Sequence, residues 1–218
     1  MTVRELYERY QVPPWLQLHQ LRVAAVGEML AKHIQGADSR LVLSTCLLHD
    51  IGAIVKFDFT YTTHSALRSL CPPDEIPHWE GVQEKIRSRY GAEEHEATDA
   101  ILDELGKGAE RRIFDQLGLR NMMQILMSED VNLQIVQYAD MRVGPFGVLS
   151  VQERLADGAA RYAAAWKEDG TAHIADTFPV NVLKLEEMLF SGIDLNPEDI
   201  ADASITARIG ELWDYAIA

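Results

Sequence analysis

The dipeptide His49–Asp50 closes the most apolar stretch of the chain, LVLSTCLL, and is followed by Ile51–Gly52. An imidazole and an ionised carboxylate side by side in such surroundings need a strong partner, because burying a lone carboxylate costs too much. A divalent metal ion satisfies both groups. The plainer account is a helix end emerging into solvent, with Gly52 as its stop. His19 is a second residue of this kind. It begins the apolar stripe His19, Val23, Val26, Leu30, Ile34 rather than lying on the polar face of its helix. Taken alone, it reads as a core histidine with a hydrogen-bond partner. Asp140, in QIVQYADMR, aligns with Leu133 and Val136 at helical spacing and so points inward. Alone, it reads as a partner of Arg142 or a helix-end residue. Three separate helices thus aim a hard or borderline ligand toward a core. Two imidazoles with two carboxylates suit Mn²⁺, Fe²⁺, Co²⁺, Ni²⁺, Zn²⁺ or, less well, Mg²⁺.

The elements that must position these residues are helical almost throughout. Pro13–Pro14 precede a long helix over about 15–35, and Asp38 or Ser39 caps the next, over about 40–55. That second helix is apolar nearly all round, as a central buried helix is. The segment 56–77 is less regular and is broken by Pro72–Pro73. A short helix near 65–70 is expected there, within a cover over the site. Helices follow at about 82–89, 93–105, 111–117, 120–127 and 131–143. GPFG at 144–147 is a turn, and further helices occupy about 151–168, 180–189 and 197–216. There is no repeat and no low-complexity tract. The expectation is one all-α domain over 1–218, with C-terminal helices from 155 onward packed on a motif-bearing core.

The chain has 218 residues, 47% hydrophobic and 25% charged, the composition of a globular protein with a sizeable single core. With 20 Lys and Arg against 34 Asp and Glu, the net charge is −14. So acidic a surface repels phosphate backbones and excludes bulk nucleic-acid binding, but not a small phosphorylated ligand held by cations or a metal. No stretch approaches the length of a membrane span, and the first residues have no apolar signal core. The two cysteines, Cys46 and Cys71, form no CxxC and no zinc spacing. Cys46 reads as a buried thiol. These features together lead to an expectation of a soluble, cytoplasmic protein.

The segments HQLRVAAVGEMLAKH, LLHDIG and YADMRVGPFGVLSVQER resemble the HD superfamily of metal-dependent phosphohydrolases, over about 15–154. The family pattern of His, then His-Asp, then Asp on separate helices falls on His19, His49, Asp50 and Asp140. The resemblance implies an all-α HD-domain bundle with these four residues as metal ligands and Asp50 also steering the attacking water. GAEEHEATDAILDELG is similar to the family's next helical segment and places a histidine at His95, a candidate phosphate contact or proton carrier. Arg22, one turn after His19, is a candidate for neutralising phosphate. Arg142 is a weaker one. Many members read HDIGK; here Ala53 follows the glycine, and Lys56, three positions later, is the candidate phosphate contact. Two-metal members carry another histidine some two dozen residues beyond the one matching His95, and none lies between 95 and 173 here. The expectation is therefore one divalent ion, which argues against the di-iron oxygenase branch.

What the resemblance implies is hydrolysis of a small phosphate ester, with a nucleotide as the expected substrate; the sequence leaves a homodimer open. The rival is a degenerate HD module that binds a nucleotide signal or a protein partner without turnover. His64 and His78, with Tyr61 and Trp79 in the irregular cover, are candidates to touch a base or sugar. His33 and His173 are assigned to structure or surface, the acidic run 93–96 to a solvated face, and NMMQILM to the core.

Overall fold

The computed structural model describes residues 1–60, 69–168 and 172–217, and side chains outside 160–176. It is all-α, with no strand among the described residues. Helix α1 (Val3–Arg9) is too short to show an apolar period, and the sequence reading passed over it. Its signal is a capping box: the Thr2 hydroxyl accepts from the Glu5 amide, and the Glu5 carboxylate accepts from the Thr2 amide. The amides of Val3 and Arg4 donate to the carbonyls of Tyr215 and Trp213, so the two ends of the chain close on each other.

Helices α2 (Pro14–Ala31) and α3 (Ser39–Leu48) pack antiparallel, with α8 (Val131–Met141) laid against both. Pro14 opens α2, where a missing amide hydrogen costs nothing. The Asp38 carboxylate caps α3 through the amides of Arg40 and Leu41. Gly27 is the point of closest approach. A Cβ there would lie 2.9 Å from Cys46 Sγ and 3.1 Å from Val42 Cγ1. Cys46 is fully buried at this crossing, as expected, and Cys71 is buried as well.

The helix expected over 40–55 is two elements. α3 stops at Leu48, His49 caps it, and a 3₁₀ turn resumes at Ala53–Lys56. The apolar pattern runs straight through the break, so tertiary contacts make it. Gln83 on α4 (Ile76–Tyr90) donates to the carbonyls of Ile54 and Phe57, both at 2.8 Å. Arg87 on the same helix donates from Nε to Val55 O at 3.1 Å. Carbonyls that a continuing helix would have satisfied are met from the side instead.

Helix α5 (Glu94–Glu104) lies across this 3₁₀ turn, and α6 (Gly108–Phe114) joins α5 to α3. The Glu104 carboxylate ends α5 and gathers Arg9 at 2.7 Å, Tyr10 at 3.0 Å, Arg89 at 2.8 Å and Tyr90 at 2.9 Å. Burial works against its charge. The tyrosine hydroxyls and the two arginines outweigh burial and hold the carboxyl below its usual range. A carboxyl with a depressed folded value contributes stability above its unfolded value, near 4.3, and loses it as pH falls through the folded one. Glu104→Ala should cost about 1–2 kcal/mol at pH 7. The gap from wild type should shrink below about pH 4 as the unfolded-state value is passed. Urea melts across that range check it, and a gap independent of pH would contradict it.

Beyond α5 and α6 come α7 (Met122–Leu126), α9 (Val151–Glu168), α10 (Ala172–Phe190) and α11 (Asp202–Leu212). The run NMMQILM is only half core: Met122 and Ile125 are buried, while Met123 and Met127 face solvent. The last helix expected, over 197–216, is a 3₁₀ turn at Pro197–Asp199 followed by α11. Arg208 on α11 grips the buried Glu28 of α2 with two bonds of 2.7 and 2.8 Å. The expected short helix near 65–70 falls largely outside the described residues.

Candidate metal centre

His19 comes from the second turn of α2, His49 and Asp50 from the break after α3, and Asp140 from the last turn of α8. The three-helix crossing brings them together. His19 Nε2 lies 3.2 Å from Asp140 Oδ1 and 3.7 Å from Asp50 Oδ2. His49 Nε2 lies 3.6 Å from Asp140 Oδ1 and 3.8 Å from Asp50 Oδ2. The two imidazole centroids are 5.5 Å apart. Ligands about 2.1 Å from one ion at tetrahedral angles stand about 3.4 Å from each other. The observed spacings bracket that value. His19, His49 and Asp50 each offer a ligand atom within 4.8 Å of the others, close enough to hold an ion.

His49 carries the sharper test. Its Nδ1 is 2.8 Å from the Cys46 carbonyl oxygen, which can only accept, so Nδ1 bears the hydrogen. Nε2 then faces the carboxylates. It is buried and finds no hydrogen-bond partner among the described residues. A lone pair directed this way, with the opposite nitrogen fixed by a carbonyl, is how a metal-ligating histidine is usually held. The residues present fit a divalent ion. Without one, burial disfavours a charged His49. The negative charges of Asp50 and Asp140, 3.8 and 3.6 Å from Nε2, outweigh burial and push the imidazole up to about 9. Burial likewise opposes the charge on Asp140, but the imidazoles of His19 and His49 beside it hold it well below the usual carboxylate range. Asp50 is lowered too, by Lys56, His49 and His19 against burial and Asp140.

Gly52 holds the break against α5. A Cβ at that position would stand 2.6 Å from the Thr98 backbone nitrogen and 2.8 Å from the Ala97 carbonyl carbon. The Gly52 amide donates to Thr98 Oγ1 at 3.2 Å. Its role is close approach rather than an unusual backbone angle.

The residues around this centre are differently placed. Lys56 pairs with Glu94 at the start of α5. Glu94 corrects the reading of 93–96 as a solvated face. It is half-buried against Lys56, with Asp50 as an electrostatic neighbour, and burial pushes its carboxyl up to about 7 although Lys56 opposes this. His95, one position on, turns by a helical step to another face. It is exposed and stacks on Phe114 of α6, with centroids 4.6 Å apart. It makes no ion pair with the metal cluster among the described residues. Arg22 lies one turn beyond His19, mostly buried, with Nε 3.5 Å from Asp202. Arg142 does not pair with Asp140. It is buried and donates to the carbonyls of Leu149, Pro197 and Ile200 and to the Tyr138 hydroxyl, which fixes the turn at 144–147 and the C-terminal segment to α8. His78 is exposed against Trp79, His33 is exposed with Nδ1 2.9 Å from Met29 O, and Tyr61 and His64 lie outside the described residues, as does the side chain of His173.

Sequence reasoning missed Glu94 because its signal is the neighbour of a histidine at an acidic helix start. Only the contact with Lys56, 38 residues away, separates it from the rest of that run.

No helix of the described residues is long and apolar enough to cross a membrane. The family model described as HD domain matches residues 17–141, more than half of the chain. No curated protein and no solved structure is similar enough to the chain to count as a match.

Proposed function

The chain belongs to the HD-domain family, and from that premise we propose that it is a metal-dependent phosphohydrolase acting on a small phosphate ester, a nucleotide being the substrate class favoured. The observation that carries this reading is the buried, unpartnered His49 Nε2, held within 4 Å of both carboxylates. In this reading His19, His49, Asp50 and Asp140 hold one divalent ion. When bound, such an ion supplies Lewis acidity to a phosphoryl oxygen and makes a water acidic enough to attack at neutral pH.

The chain's own residues do the rest. Cys46 O fixes the His49 tautomer and so the direction of its lone pair. Asp50 would help hold the ion and, with Glu94 as its electrostatic neighbour, would accept and orient the proton of an incoming water. Glu94 is better placed than His95 to move a proton, since it pairs with Lys56 and feels the charge of Asp50 while His95 stacks on Phe114. Arg22 and Lys56 are each held by a carboxylate, Asp202 and Glu94. They supply the positive charge that an otherwise acidic protein needs to receive a phosphate. Arg208 and Asp202 tie α11 to α2, so the C-terminal helices belong to the same unit as the site.

The experiment is a panel of nucleotides and simple phosphoesters with Mn²⁺, Co²⁺, Ni²⁺ and Mg²⁺, with released phosphate as readout. Metal-dependent release from at least one ester is expected. Tight binding of a nucleotide with no release under any metal would favour a binding module instead.

A further inference from the structure

Four glutamines are buried in this chain: Gln20, Gln83, Gln134 and Gln137. Three of them spend their amides on the fold. Gln83 donates to Ile54 O and Phe57 O, Gln134 to Ile125 O and Ser128 O, and Gln137 accepts from the Gly118 amide. Gln20 has no exposed surface, and neither its Nε2 nor its Oε1 has a hydrogen-bond partner among the described residues. An unpaired buried amide costs roughly 1–3 kcal/mol, and such groups are rare enough that each needs a reason.

Its place in the fold supplies one. Gln20, Val23, Ala24 and Gly27 form the ridge of α2 that enters the crossing, where Gly27 meets Val42 and Cys46 of α3. The helices run antiparallel. Two turns back along α2, from Gly27 to Gln20, therefore corresponds to two turns forward along α3, from Val42 and Cys46 to the break carrying His49, Asp50 and Gly52. The 5.5 Å pairing of the His19 and His49 rings fixes the same register. By that register Gln20 sits on the part of α2 that faces the break carrying His49, Asp50 and Gly52, and His49 Nε2 is the cluster's own buried atom without a hydrogen-bond partner.

We infer that Gln20 is a positioning residue of the metal centre, its amide unpaired in the metal-free protein and hydrogen-bonded once the centre is loaded. The inference rests on the proposed metal site. Polar groups that break the rules of a core are expected at functional sites, where stability is traded for the loaded state.

The test is a thermal cycle on the full chain: wild type and Gln20→Met, each with chelator and each with saturating Mn²⁺. Gln20→Leu, of similar volume, runs alongside. With chelator, Gln20→Met should melt higher than wild type by about 2–4 °C, because the unpaired amide is gone. The rise in Tm on adding Mn²⁺ should be smaller in the variant, because the bond that forms on loading is missing. An equal Mn²⁺-induced rise in both proteins overturns the inference and leaves the metal site standing. A variant that melts lower than wild type by the same amount in both states, or failure of both variants to fold, overturns it too, since the amide is then paired in the metal-free core. No Mn²⁺-induced rise in wild type overturns the metal site and this inference with it.

Discussion

Asp50→Ala and His49→Ala should each lower affinity for a divalent transition ion by more than about 100-fold, since even loss of a residue that only supports a ligand costs 10–100-fold. Turnover should fall with it. Each substitution removes one of four groups whose imidazole-to-carboxylate distances are 3.2–3.8 Å. The variants differ in what they leave behind. Without Asp50, His49 and His19 keep Asp140 as their one carboxylate partner, and the ammonium of Lys56 keeps Glu94. Without His49, the two partly buried carboxylates keep His19 as their one imidazole partner. Metal-free His49→Ala should therefore be the less stable of the two, and its deficit against wild type should shrink as pH rises from about 6.5 through about 9, where the wild-type imidazole gives up its proton as well. Metal analysis of gel-filtered protein, with circular dichroism as the control for folding, reads both effects. Equal metal content in wild type and both variants would sink the ligand assignment.

Gly52→Ala should be the most damaging single-methyl change near the site. The atoms that an added Cβ meets at 2.6 and 2.8 Å belong to the backbone of α5, not to the end of a flexible side chain. Something rigid must shift, and overpacking of this kind costs typically 1–3 kcal/mol. The shift separates α5 from the break after α3 and breaks the bond from the Gly52 amide to Thr98 Oγ1. It also draws Glu94, one turn before Thr98, away from Asp50 and Lys56. The expected result is a lower melting temperature together with weaker metal binding. Thr98→Ala is the comparison: it removes the hydroxyl acceptor without a clash and should cost only about 1 kcal/mol. A Gly52→Ala protein as stable as wild type would show that α5 is free to move and that the close approach is incidental.

His19 and Asp140 stood out in the sequence because each sets a polar group where helical spacing demands an apolar residue, and His49–Asp50 because the pair closes the most apolar stretch of the chain. The all-α class was legible from the same spacing. Neither the break at His49 nor the place of Glu94 could be read, for one physical reason. Both are decided by side chains far along the chain. The apolar period from Leu41 to Val55 gives no hint that Gln83 and Arg87 will take the carbonyls of Ile54, Val55 and Phe57. His95 drew notice as a histidine, but the face of α5 turned to the cluster is set by Glu94 and Thr98, four residues apart. Gln20 was invisible for the opposite reason: a glutamine beside a histidine looks ordinary until its burial and its missing partners are seen together.

Titrating a single divalent ion back into chelator-stripped protein, while following phosphate release from the best ester of the panel, tests the central claim most directly. The account predicts no release from stripped protein and a rate that climbs to a plateau at about one equivalent of ion per chain, as four ligands around a single position require. A rate untouched by the chelator, or one that keeps rising to two equivalents, would contradict it.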